Sequence, residues 1–339
     1  MRRALIAIVF LGLIVFFPVS ADLTVFLPSY GGLSSTQVHD CTNGPGGEVV
    51  MATSDGLSVY DGANWTTYHA PKEYMPESLL SDTILAVEYG PEGALWIGTT
   101  LGLQRFDGQN FQTLADQHRL KNPAVIALQR WDDVMWVETR NSGVHRVEGE
   151  NWTWYKPFKP GSPASYALED MGLDPMGGQL YCLSHDGLWA VGTNASAGFR
   201  PVTLHGMPLR GYDGVRTDPF GGVYLFNSSA VVHLGPAGRL TLVLRSSDLK
   251  SDGCALRDLG PAPDGTLWCA TDRGIVWWAD GGVADVIDRA DGIWSPAIKK
   301  VFVDCGGRCW YSTSTAVGYV VPENSTLVPI AFERPTRGR

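Results

Sequence analysis

The sequence predicts an all-β protein, a seven-bladed β-propeller whose four-stranded antiparallel blades are about 43 residues long. Three observations predict it. A turn leading into an apolar anchor recurs seven times, with glycine three positions before the anchor in six of them, and a small hydrogen-bonding residue stands three positions after every anchor. The composition, with 40 glycines, 12 tryptophans and 18% charged residues, suits many short strands joined by tight turns and argues against long solvated helices.

The anchors are Val50, Trp96, Trp136, Tyr181, Tyr224, Trp268 and Trp310, separated by 40 to 46 residues. Three positions earlier stand Gly47, Gly93, Asp133, Gly178, Gly221, Gly265 and Gly307, as expected where a short hairpin needs positive φ. Three positions later stand Thr53, Thr99, Thr139, Ser184, Asn227, Thr271 and Thr313, each able to bond back to a following turn. A motif that carries chemistry occurs once, whereas a building block repeats, so this pattern reads as architecture.

The second repeat shows how a unit divides into strands. Residues 84–89 form an inner strand, 95–99 a second strand that is apolar on both faces, 103–106 a third, and 111–114 an outer one. A strand apolar on both faces suits a sheet packed between two neighbours. Seven such units fill residues 36–330, and residues 331–339 are expected to be a disordered tail. An open β-solenoid is the competing architecture, but it would need end caps that the sequence lacks. Ring closure stays open between two segments, Leu23-Thr24-Val25-Phe26 within the N-terminal stretch 22–35 and Leu327-Val328-Pro329-Ile330 near the other end.

Residues 1–21 read as a signal peptide. Arg2 and Arg3 precede fourteen apolar residues, Ala4 to Phe17, and Val19-Ser20-Ala21 supplies the small residues of a cleavage site after Ala21. An uncleaved anchor is the alternative, although the stretch is shorter than the roughly 20 residues that span a bilayer. The expected location is secreted or extracytoplasmic, at the cell surface or in the periplasm, with no membrane insertion after the leader is removed. The formal net charge of -9 argues against nucleic acid as a partner.

Gly32-Leu33-Ser34-Ser35, Leu95-Trp96-Ile97-Gly98-Thr99 and Gly102-Leu103-Gln104-Arg105-Phe106-Asp107-Gly108 resemble the two-component regulator propeller repeat. The resemblance is sharp in blades one and two, fair in three and six, and degenerate in four, five and seven. It implies the extracytoplasmic sensor propellers of hybrid histidine kinases, and with them a ligand-binding ring. Signalling itself is not expected to carry over, because no immunoglobulin-like spacer, membrane helix or kinase follows the seventh blade in this sequence.

Ligands of propellers usually sit over the channel, on the face shared by the second-to-third turns and the linkers entering the inner strands. The candidate binding residues on that face are Asp55, Arg140, His185, Asp272, Arg273 and Trp294. Mixed charge with an aromatic ring suits a neutral polar ligand such as a sugar. The expected function is therefore a secreted, non-catalytic, sensor-like binding module that recognises carbohydrate, with an extracellular scaffold or protein-interaction propeller as the alternative. A propeller lyase or hydrolase is the third reading, because His185 lies near Asp186 in sequence. The seven histidines show no metal-ligand spacing, and no cofactor is expected. The partner is then a small molecule or glycan, or else an extracellular protein, and the chain is expected to be a monomer.

Six cysteines in an exported chain invite a disulfide, and Cys305 with Cys309, flanking a hairpin loop, form the expected pair. Five Asn-x-Ser/Thr sites, at Asn64, Asn151, Asn194, Asn227 and Asn324, are glycosylation candidates in a host that modifies exported proteins.

Overall fold

The computed structural model describes residues 4–10, 13–19, 21–28, 32–73, 75–114, 124–140, 143–155, 168–192, 198–249 and 254–322. The small residue after each anchor builds the turn expected of it. Thr53, Thr99, Ser184, Thr271 and Thr313 each donate their hydroxyl to the carbonyl three residues on, at 2.7 to 3.1 Å, and Thr139 reaches the one four residues on. Asn227 achieves the same closure by accepting the N–H groups of Ser229 and Ala230. The hairpin glycines take positive φ in six blades, and in blade three Asp132 does so instead. Local chemistry thus sets two turns per unit, and the strands follow from the turns.

Seven four-stranded antiparallel sheets result, arranged as the blades of a propeller. Their inner strands are Val38–Asn43, Ile84–Tyr89, Val125–Trp131, Leu168–Asp174, Gly214–Thr217, Leu256–Pro261 and Lys300–Val303. The second strands are buried on both faces, as in Leu95–Thr99 and Leu267–Thr271. Blade four departs from the pattern. Its outer strand is only Arg200–Pro201, followed by a small separate hairpin of Thr203–Leu204 and Met207–Pro208.

The core consists of seven apolar clusters among the described residues, each joining two neighbouring blades. Val50, Ala52 and Leu57 of blade one meet Ile84, Leu95 and Ile97 of blade two, for example. The series closes where Val49 and Met51 of blade one meet Trp310 and Val317 of blade seven. Burial at these interfaces, and not pairing between sheets, holds one blade to the next.

Blade seven takes its outer strand from the other end of the chain. Ala21–Phe26 pairs antiparallel with Val317–Pro322, matching Leu23 with Val320 and Phe26 with Val317. The competing segment 327–330 lies outside the described residues, as does the tail 331–339. Phe26 seals the seam by stacking on Trp310 at 6.0 Å and meeting Trp65 edge-on at 5.3 Å. The segments Ala4–Phe10 and Leu13–Val19 form a separate two-stranded sheet ahead of this strand. Among the described residues, no helix is long and apolar enough to cross a membrane.

The expected disulfide is corrected. Val303 pairs with Cys309, so Cys305 lies within the turn and is not the cross-strand neighbour of Cys309. The Cys309 side chain is packed between blades six and seven, whereas Cys305 is exposed, and both are free thiols.

Candidate functional site

An inner strand of a propeller has no neighbour on its axial edge, so that edge decides what lines the channel. Five of the seven inner strands break register at the same level. Pairing with the second strand skips from Val38 to Asp40, Ile84 to Ala86, Val125 to Ala127, Leu168 to Asp170 and Leu256 to Asp258. The bulged residues are His39, Leu85, Ile126, Glu169 and Arg257. A bulge re-aims its side chain, and all five line one cavity of about 790 Å³ along the axis. Asp213 and Lys300 line it from blades five and seven.

Just below the bulges, three aspartates tie blades together. Asp40 accepts the Val87 N–H at 3.0 Å, Asp170 the Val215 N–H at 3.0 Å, and Asp258 the Val301 N–H at 3.1 Å. Each carboxylate serves an inner-strand N–H of the following blade that has no ladder partner. Asp170 and Asp258 are also bridged by Arg216, 2.5 Å from each, and its guanidinium lies over the Phe226 ring at 5.3 Å. Burial would lower the Arg216 pKa, yet the two carboxylates outweigh it and hold the guanidinium firmly charged.

The opposite wall is acidic without such a clamp. Burial raises Asp40 to about 6, against the opposing pull of the Val87 N–H and the Lys300 charge. Glu88, one blade further on, is pushed up to about 7 by burial and then by Asp40, while Thr42 donates to it at 3.3 Å. His39 is held below its usual value by burial and by Lys300, and its Nε2 is 2.8 Å from the Ser54 hydroxyl.

Of the six binding residues read from the sequence, the structure brings Arg140 to this cavity, and the other five stand away from its lining. Asp55 lies on the rim between blades one and two with His69 and Asp82, donor atoms within 4.8 Å of one another. Exposed acids gather in this way without an ion, and Asp82 also accepts the Ala70 N–H at 2.6 Å. His185 and Arg273 are exposed on their turns. Asp272 accepts the Ala255 N–H at 2.9 Å, a bond that shapes the linker. Trp294 is exposed on the loop after the outer strand of blade six, where its carbonyl accepts from Arg289.

The residues that do line the mouth left a trace in the sequence. Asp40 and Asp258 stand ten positions before their anchors and Asp170 eleven, each preceded by the residue that bulges. Aligning the repeats on the inner strand, and not only on the anchor, reveals that column.

Among the glycosylation candidates, Asn64 and Asn151 are exposed beside the outer strands of blades one and three. The Asn227 amide donates to the Gly211 carbonyl at 2.7 Å, a bond a glycan would displace. Asn194 and Asn324 lie outside the described residues.

No family model matches the sequence, and no curated protein matches it either. Solved structures do. The extracellular domain of a putative hybrid two-component system from B. thetaiotaomicron superposes with a TM-score of 0.67 at 19% identity, over 88% of this chain and 42% of that one. A second such domain from the same organism gives 0.65 at 16% identity, over 86% of this chain and 39% of that one. Virginiamycin B lyase from Staphylococcus aureus gives 0.66 at 12% identity, over 89% and 99%. This chain therefore spans less than half of the two-component chains it matches, and its fold is the propeller that those extracellular domains share with a lyase.

Proposed function

We propose that this protein is an extracytoplasmic ligand-binding propeller that takes a small polar ligand in the mouth of its central channel. The observation that carries the reading is the repeated bulge, which turns five inner-strand side chains into one cavity where plain strands would leave a bare edge. A volume of 790 Å³ falls within the range of about 300–1,000 Å³ typical of small-molecule sites. The extracytoplasmic setting rests on the leader pattern of residues 1–21 and on the likeness to extracellular domains. Sugar recognition has less support than the sequence alone suggested, because Trp294, the aromatic residue chosen for stacking, does not line the cavity.

Thermal denaturation in the presence of amino acids, peptides, oligosaccharides and other small metabolites tests this. A ligand at 100 times its Kd adds about 2.7 kcal/mol, worth roughly a few degrees in Tm. The expected shift is lost on Arg257→Ala in the cavity and kept on Arg273→Ala at the rim. A shift lost only at the rim would move the site away from the channel.

Protein docking is the second reading, and one observation favours it. Met176 and Phe220, 73% and 63% exposed, sit on the hairpins of adjacent blades four and five. A Phe220→Ser change that abolishes a partner's binding while leaving the ligand shift intact would establish it.

A further inference from the structure

The order of the mouth residues around the ring is not random in charge. Passing from blade two to blade seven, they are Leu85 and Ile126, then Glu169 and Asp213, then Arg257 and Lys300. Three arcs follow one another, apolar, acidic and basic. Among the described residues, the four charged members of these arcs form no ion pair with one another or with any other group, whereas Arg216 beneath them is satisfied by Asp170 and Asp258. Glu169, Asp213 and Arg257 are exposed to the cavity and its opening. Glu169, Asp213 and Arg257 carry both signs on neighbouring blades without an ion pair among the described residues, and Lys300, which also acts on the Asp40 charge, extends the basic arc; together they match a ligand that carries both signs itself.

We infer that the channel mouth binds a zwitterion with an apolar body, a short peptide with both termini free, its ammonium on the Glu169 and Asp213 arc and its carboxylate on the Arg257 and Lys300 arc. This rests on the channel-mouth reading above and names its ligand class. Leu85 and Ile126 form the third arc and take an apolar side chain, the part of the ligand that gains most from leaving water. Arg140 also lines the cavity, from blade three. A neutral sugar would cover Glu169, Asp213 and Arg257 without supplying counter-charges, a cost the zwitterion avoids.

Calorimetric titration of the full chain tests the inference with leucyl-leucine, N-acetyl-leucyl-leucine, leucyl-leucinamide and cellotriose. Free leucyl-leucine is expected to bind, and each capped form to bind at least about tenfold more weakly, about 1.4 kcal/mol. In Glu169→Gln/Asp213→Asn the preference over the N-acetyl form should vanish while that over the amide remains. Arg257→Gln should show the converse. Capped and free peptides binding equally, or variants leaving both preferences unchanged, overturns the assignment. Cellotriose binding that is lost on Arg257→Gln, with no peptide binding, leaves the channel site standing and removes the zwitterion. Absence of binding by all four probes, together with no thermal shift in the broader panel, removes both.

Discussion

Burial pushes the carboxyl of Glu88, in the channel, up to about 7. In the folded chain it keeps its proton up to about pH 7, while the unfolded chain releases it near 4.5. The folded state then binds the extra proton across that interval, so this group's contribution to stability falls as pH rises through it. Glu138, raised by burial and by Asp170, acts in the same direction. His145, lowered to about 4 by burial, and His39 act in the opposite one, so the whole protein's pH profile mixes both. A comparison with Glu88→Gln isolates the term. The urea midpoint of the variant should rise relative to the parent between about pH 4.5 and 7 and then level off; a difference that stays constant or shrinks contradicts the assignment. None of this was legible in the sequence. Glu88 lies there within the inner strand 84–89, and its burial depends on where the other blades place their inner edges.

At the level of the element, the turns are readable directly, whereas the bulges show only as the aspartate column of three blades. A turn is decided by residues in its own short stretch, so Thr271 and Gly274 announce theirs directly. A bulge is decided by register against a second strand, and register appears only when the pairing is known. Turn residues such as Arg273 and His185 therefore stand out in the sequence, while Glu169 and Arg257 do not. The third-strand glycines show how tightly turn and outer strand are joined. Gly274 has φ +139, and a Cβ there would lie 2.5 Å from the Ile287 carbonyl. Gly274→Ala is expected to cost about 1–3 kcal/mol in urea denaturation. Gly192→Ala, where a Cβ meets nothing within 4 Å, should change stability by less than about 0.5 kcal/mol. Equal effects at the two sites would show that the close approach is not limiting.

For the whole molecule, seven blades were countable from spacing alone, while the choice of closing strand was not, because two segments of similar character stood at opposite ends. The structure places Ala21–Phe26 in that position. Removing residues 1–26 should lower stability by about 3–5 kcal/mol, the cost of losing apolar side chains such as the buried Leu23 and the half-buried Phe26. It should also leave the Val317–Pro322 edge open to self-association, detectable by light scattering. A chain beginning at Asp22, the product of cleavage after Ala21, keeps the paired segment from Asp22 to Phe26 and should match the full chain in both measurements. Equal stability of the two truncations would mean that the seam contributes little.

The same seam sets an order of events in time. The closing strand precedes every other strand of the seven blades and must wait until Val317–Pro322 has been synthesised before its partner exists, so the ring cannot latch before the seventh blade is made. Until then its free edge is the most vulnerable part of the nascent molecule. A chain that stops before Val317 has nothing for that strand to find, which makes latching a built-in check that the last blade has been reached.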